Sequence, residues 1–173
     1  MEAREVARAL HTKPLLGKEA TKEIVPQRAL RADILYFAMH GVASSDDPLT
    51  GGFLLLSAPT VEQGKWTAGE VQKMELERTR MVVLSACQTG LGKVHDAGII
   101  GLARAFQIAG APRVLMSLWS VNDGATNELM QAFMRNVQSD IPAEALRKAM
   151  IETKKKRPHP SEWASFVLFG TPR

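Results

Sequence analysis

The sequence has few of the residues that mark an exported or membrane protein. A single cysteine among 173 residues cannot form an internal disulfide, and disulfides are common in secreted domains. No apolar run approaches the ~20 residues that a membrane-spanning helix requires. The first residues, MEAREVARALHTK, include acidic side chains and no long apolar segment of the kind found in signal peptides. We therefore predict a cytoplasmic protein that has no membrane partner.

A large excess of charge is also missing. The net charge is +4, and six lysines and arginines between Arg147 and Arg157 supply much of the basic excess. No aromatic residues interleave with them, so a solvated helix end is a better interpretation than a nucleic-acid surface. Histidine, cysteine and acidic residues do not occur in a pattern that would supply three or four converging ligands. The sequence therefore predicts no metal or other cofactor.

What the sequence does contain is an alternation of apolar strands and helices. The hydrophobic fraction of 45% is ordinary for a globular core, and the length suits one domain over residues 1–173. Five apolar runs are predicted as strands: ADILYFAMHG, FLLLS, RMVVLSA, PRVLMSLWS and EWASFVLFG. Trp163 and Phe166 fall in the last run and are predicted to be structural, and Thr67 with Glu70 predicts a capping box. The alternation is typical of a mainly parallel sheet with helices on both faces.

The segment MVVLSACQTGLGK permits three interpretations: a phosphate loop, a nucleophile, or a core strand that ends in a thiol. A P-loop requires a first glycine and, after its lysine, a hydroxyl that binds magnesium. Alignment on Gly92 and Lys93 places Cys87 at the first of these positions and Val94 at the second. A dinucleotide-binding fingerprint would lack its third glycine. A nucleotide-binding domain is therefore disfavoured.

Three predicted strands end at one rim of such a sheet, where ligand sites usually form. His40 follows one strand and Cys87 another, with the histidine 47 residues upstream. This order and spacing resemble those of caspase-like peptidases, whose histidine lies ~50 residues upstream, and exclude the papain-like order. An imidazole can take the thiol proton, and the amides of Gly41 and Cys87 are candidate oxyanion donors. Taken singly, however, such a cysteine is more often a core residue, and such a histidine a polar loop residue.

Many segments, taken in order, carry a resemblance that covers nearly the whole chain. They are LLGKEATKEIV, ILYFAMHG, GGFLLLSA, WTAGEVQKMEL, VVLSACQTGLG, GIIGLARAFQIAGAPRVLMSLWSVND, ATNELMQAFM, EALRKAM and HPSEWASFVLFG. Together they resemble the CHAT domain, a caspase-like cysteine peptidase module often attached to tetratricopeptide repeats. The resemblance implies a caspase-like three-layer α/β/α sandwich with a mainly parallel sheet. It also implies that His40 is the general base, that Cys87 is the nucleophile, and that a tetratricopeptide-repeat region is a partner in cis or in trans.

The same resemblance implies a substrate-binding residue. In separase-like relatives an acid in the segment similar to SLWSVND recognises a basic side chain, and here that acid is Asp123. A role at a helix N-terminus is an equally good interpretation of Asp123. The chain departs from the family pattern at Met39, at Gln88 and at residues 96–98. It also begins without the strand that precedes the first helix in the family, which predicts a truncated or processed fragment.

Two functions follow from these observations. The first is a cysteine endopeptidase that forms an acyl-enzyme at Cys87 and cuts a protein or peptide after a basic residue. The second is a catalytically silent module that keeps the fold and binds partners through it. The pairing of His40 with Cys87 favours the first. Reactivity of the thiol toward a peptide probe separates the two.

Overall fold

The computed structural model describes residues 2–39, 41–42, 52–85, 96–119 and 122–171. The strands are β1 (Ile34–Phe37), β2 (Gly41–Val42), β3 (Phe53–Leu55), β4 (Lys65–Thr67), β5 (Met81–Leu84), β6 (Arg113–Ser117) and β7 (Phe166–Gly170). The helices are α1 (Glu2–Ala9), α2 (Ile24–Ala29), α3 (Val61–Gly64), α4 (Ala68–Val71), α5 (Asp96–Ile108), α6 (Asp123–Asn136), α7 (Pro142–Lys156) and α8 (Pro160–Trp163), with a 3-10 turn at Gly17–Glu19.

Four of the described strands form the main sheet, in the order β1-β5-β6-β7. The first three are parallel, and β7 pairs antiparallel with β6. The prediction of a mainly parallel sheet is therefore confirmed. Parallel pairing places the carboxyl ends of β1, β5 and β6 on one rim of the sheet.

A smaller antiparallel sheet contains β2, β3 and β4. The apolar run FLLLS forms β3 of this second sheet and is not a strand of the parallel one. The connections explain the difference. A parallel crossover needs a dozen or more residues, whereas the shorter segment 56–64 joins β3 to its antiparallel neighbour β4.

The main sheet separates two apolar cores, because successive strand side chains point to opposite faces. On one face, Phe37 belongs to an aromatic trio with Trp66 and Phe106, whose ring centroids are 5.6 to 5.9 Å apart. On the other face, Val83 and Leu115 pack against α1, α6 and α7. Helices therefore cover both faces of the sheet, which is the predicted α/β/α arrangement.

Local sequence signals set the ends of two helices. The amide of Glu70 donates to Thr67 Oγ1 at 3.2 Å, and the amide of Thr67 donates to Glu70 Oε2 at 2.8 Å. This reciprocal pair is the predicted capping box, and α4 begins directly after it. At the end of α5, Gly110 adopts a φ of 112°, which an L side chain rarely adopts.

The C-terminal strand begins later than the apolar pattern predicts. Trp163 lies in α8, not in a strand, because Pro160 opens a helical turn that His159 caps through its ring nitrogen. The indole is half-buried against the second core, with Lys154 Nζ 5.0 Å from its ring centroid. Phe166 opens β7 and is 3% exposed. Both aromatic residues are structural, but only Phe166 is fully buried.

Candidate active site at the carboxyl rim of the sheet

The ends of β1 and β5 are adjacent at the carboxyl rim. Phe37 and Leu84 are register partners, and the amide of Ser85 donates to the carbonyl oxygen of Phe37 at 2.9 Å, which extends the pairing. In the sequence, His40 and Cys87 each lie three residues beyond these partners. Both lie outside the described part of the chain. That they face each other therefore remains a prediction, whereas the adjacency of their strands is a finding.

Gly41 comes directly after His40 and is anchored in the small sheet. It is buried and pairs with Leu54 of β3. Leu54 and its neighbour Trp66 are 1% and 2% exposed, so the strand that holds Gly41 is itself fixed in a core. An oxyanion donor acts through a preorganised backbone, and this anchoring suits that role. The donation by the amides of Gly41 and Cys87 stays a prediction.

Asp123 lies on the same rim, at the first position of α6 and close after the end of β6. Asn122 Oδ1 accepts from the amide of Gly124 at 2.8 Å, so Asn122 rather than Asp123 caps the helix. The Asp123 carboxylate is exposed and forms no ion pair with another residue in the described part of the chain. Asn122 therefore supplies the cap, while Asp123 lies in the first turn of α6, as the helix N-terminus interpretation predicts. The substrate role of Asp123 remains a prediction.

Trp119 adds an aromatic surface at the third of the strand ends that the sequence predicts for this rim. It follows β6 and is 36% exposed. Its indole N–H donates to the carbonyl oxygen of Ser161 at 3.1 Å. The amide of Leu118 donates to the carbonyl oxygen of Ser165 at 2.7 Å. These two bonds fasten the segment after β6 to the chain around α8. The signal in the sequence is its position two residues after a buried strand.

Arg157 is a second residue whose role the sequence did not indicate. Its guanidinium contacts Glu128 and Glu162, each at 2.9 Å, and so joins the end of α7 to α6 and α8. The hydrogen bond from Arg157 lowers the pKa of Glu128, and the same bond raises the pKa of Arg157. A Cβ added at Gly124 would lie 3.2 Å from Arg157 Nη2, so the guanidinium reaches the residue after Asp123. Arg157 therefore connects three helices, whereas Lys154, Lys155 and Lys156 form the exposed helix end that the sequence predicts.

A polar cluster joins α1 to the ends of the two strands that precede His40 and Cys87. Glu2 Oε1 accepts hydrogen bonds from the Tyr36 hydroxyl of β1 and from the Ser85 hydroxyl, which follows β5. Burial raises the pKa of the Tyr36 phenol well above its usual range, and the charge of Glu2 raises it further. A carboxylate in the first turn of α1 is therefore bonded to both strand ends.

The described residues contain no helix that is long and apolar enough to cross a membrane. In the same part of the chain, no group of three or more His, Cys, Asp or Glu side chains is arranged to hold a metal ion.

Comparison with known proteins gives a consistent match over the whole fold. The sequence profile of the CHAT domain matches residues 1–171. Human tetratricopeptide repeat protein 28 is 31% identical over 205 aligned positions, which cover 98% of this chain and 8% of that protein. The mouse protein of the same name is 30% identical with the same coverage. The chain therefore spans only a small part of the length of these relatives.

Proposed function

Because the chain belongs to the CHAT domain family, whose fold is caspase-like, we propose that it is a cysteine endopeptidase with His40 as general base and Cys87 as nucleophile. One observation carries the proposal. Phe37 and Leu84 are partners in a parallel pair, and the histidine and the cysteine follow them at the same distance along the chain. Equal extensions of adjacent parallel strands bring residues to the same place on a rim.

The reaction needs only groups that this chain supplies. His40 takes the proton of the Cys87 thiol, and the thiolate attacks the scissile carbonyl carbon. The amides of Gly41 and Cys87 donate to the oxyanion of the tetrahedral intermediate. The imidazolium then gives its proton to the departing amine as the C–N bond breaks, which leaves a thioester. Water attacks the thioester, His40 accepts its proton, and the carboxylic acid leaves as the thiol is restored.

The rim also supports a preference for a basic residue on the acyl side of the cut. Asp123 is exposed in the first turn of α6, the helix that follows β6, and Asn122 already caps this helix. Arg157, the cation that reaches this helix terminus, is paired with two carboxylates, so its charge is compensated. Among the described residues, the uncompensated charge at the terminus is therefore negative. It attracts Lys or Arg and repels an acidic side chain.

A catalytically silent interaction module is the second candidate function. Both relatives are named as tetratricopeptide repeat proteins, and this chain spans 8% of their length. A tetratricopeptide-repeat region in cis or in trans is therefore the partner that we propose for either function. Gln88, in place of the acid usual in the family, changes the charge beside Cys87, and this change favours the silent alternative.

Labelling of the thiol by a peptide probe with a terminal basic residue and an electrophilic carbonyl tests the peptidase proposal. Cys87 is the only cysteine, so every labelled thiol is Cys87. The informative comparison is between the native protein, His40→Ala and the denatured chain. An activated thiol reacts below its ordinary pKa of ~8.5 and depends on His40. Equal labelling rates in the native protein and in His40→Ala would support the silent module instead.

A further inference from the structure

Glu2 connects the two strands that carry the proposed dyad. One of its carboxylate oxygens accepts from Tyr36 in β1 and from Ser85 after β5. Tyr36 precedes His40 by four residues, and Ser85 precedes Cys87 by two. The contact therefore joins β1 to the residue after β5, a few residues before each proposed reactive residue.

The helix that supplies this carboxylate is fixed by other contacts. Val6 of α1 is 3% exposed and belongs to the core on the α6 and α7 side of the sheet. Gln131 Nε2 of α6 donates to Glu5 Oε2 at 2.5 Å, and Gln138 Nε2 donates to the carbonyl oxygen of Ala9 at 3.3 Å. Because these contacts hold α1 on α6, Glu2 reaches the strands from a supported position.

The buried Ser85 hydroxyl has few other acceptors for its hydrogen bond to Glu2. Ser85 is 3% exposed, so its hydroxyl has little access to water if Glu2 is lost. A buried donor without an acceptor is unfavourable, and the chain would rearrange to satisfy it. That rearrangement would occur at the ends of β1 and β5. Proton transfer between two side chains is sensitive to displacements of about 1 Å.

We propose that Glu2 is a positioning residue for the His40–Cys87 pair, because its carboxylate holds the ends of β1 and β5 in fixed relation. The inference rests on the proposed peptidase function. It assigns Glu2 no contact with substrate.

The test compares Glu2→Ala and Glu2→Gln with Glu5→Gln, a matched change on the same helix whose partner lies in α6. The readout is the rate of Cys87 labelling by the peptide probe across pH, in protein confirmed as folded by circular dichroism. Glu2→Ala should slow labelling by roughly 10- to 100-fold. Glu2→Gln keeps an acceptor oxygen and should restore most of the rate, and Glu5→Gln should leave the rate unchanged.

A second readout reports the cluster itself without any chemistry at Cys87. Tyr36 is the only tyrosine, so the ultraviolet absorbance of tyrosinate follows this phenol alone. Removal of the negative charge in Glu2→Gln should lower the pKa of Tyr36, because Glu2 is one of the groups that raise it. If Glu2→Ala does not fold, Ser85→Ala and Tyr36→Phe each remove one donor, and each should slow labelling by a smaller factor.

The outcomes are separable from those of the proposed function. If Tyr36 titrates at lower pH in Glu2→Gln but Glu2→Ala labels as fast as the native protein, the cluster exists and the positioning role is wrong. Equal slowing by Glu5→Gln would likewise overturn it, since only the docking of α1 would then matter. If labelling of the native protein does not depend on His40, the peptidase proposal itself fails, whatever Tyr36 does.

Discussion

Phe37 and Leu84 are paired in register at the carboxyl ends of two parallel strands. They are the last register partners of β1 and β5, three residues before His40 and Cys87 in the sequence. The aromatic ring of Phe37 is held by Trp66 and Phe106, and Leu84 is 1% exposed. The rim from which His40 and Cys87 extend is therefore built on a packed core, which is the kind of support that an active site requires.

Removal of the proposed base should lower the reactivity of the thiol. In His40→Gln we expect labelling of Cys87 at pH 7 to fall by roughly 10²- to 10⁴-fold, the range typical of a lost general base. The measurement is the second-order rate with the peptide probe. His11→Gln is the control, because His11 is exposed and lies in the turn after α1. A fall of the same size in both variants would point to a general loss of structure.

The aromatic trio should contribute strongly to stability. Phe106 is fully buried, and Phe106→Ala should lower the free energy of unfolding by about 3–5 kcal/mol, as for other large buried aromatic residues. Ile108→Ala is the matched control on α5, because Ile108 is 60% exposed, and it should change the free energy by less than about 0.5 kcal/mol. Urea denaturation measures both. Similar losses in the two variants would contradict the packing described for this face of the sheet.

The Glu128–Arg157 contact should make stability depend on pH. The hydrogen bond from Arg157 lowers the pKa of Glu128 in the folded protein, so the unfolded chain binds the proton more tightly. The stabilisation is therefore fully present above the unfolded pKa of ~4.3 and is lost as pH falls through the lower folded value. As the pH falls through this range, Glu128→Gln should lose less stability than the native protein does. Thermal unfolding at a series of pH values gives the comparison, and identical profiles for the two proteins would refute the linkage.

Short-range patterns in the sequence predicted the parts of the fold that depend on short-range physics. The capping box at Thr67 and the glycine end of α5 are set by backbone groups within a few residues. The apolar runs at Met81 and Arg113 are buried strands because neighbouring strands flank both. The apolar pattern placed Trp163 in the last strand, which is wrong. Hydrophobicity alone does not show that Pro160 begins a helical turn before that strand.

The contacts that the sequence could not reveal join residues far apart in the chain. Glu2 and Ser85 are separated by 83 positions, and Arg157 and Glu128 by 29. Nothing in the local pattern around either acid distinguishes it from a solvated surface residue. Only the packing of α1 and α7 against the rest of the fold brings these charges to their partners. The strand ends from which the dyad is predicted could be read from local apolar runs, whereas the cluster of Glu2, Tyr36 and Ser85 could not.

Specificity gives the most direct test of Asp123. If the peptidase proposal holds, the native protein should cleave members of a positional peptide library after Lys or Arg. Asp123→Asn should weaken that preference by roughly 10-fold or more, because about 1.4 kcal/mol of lost attraction corresponds to a tenfold change. The substitution keeps the size of the side chain and leaves the Asn122 cap in place, so the effect reports charge. Asp33→Asn is the control, because Asp33 precedes β1 at the opposite end of the strand and pairs with Arg78 there.

Cleavage after acidic residues in the native protein would instead indicate that Arg157 is available to substrate in spite of its two carboxylate partners. An unchanged preference for basic residues in Asp123→Asn would leave the carboxylate as a residue of the first turn of α6 only, and its interaction with the helix dipole would then be its whole contribution.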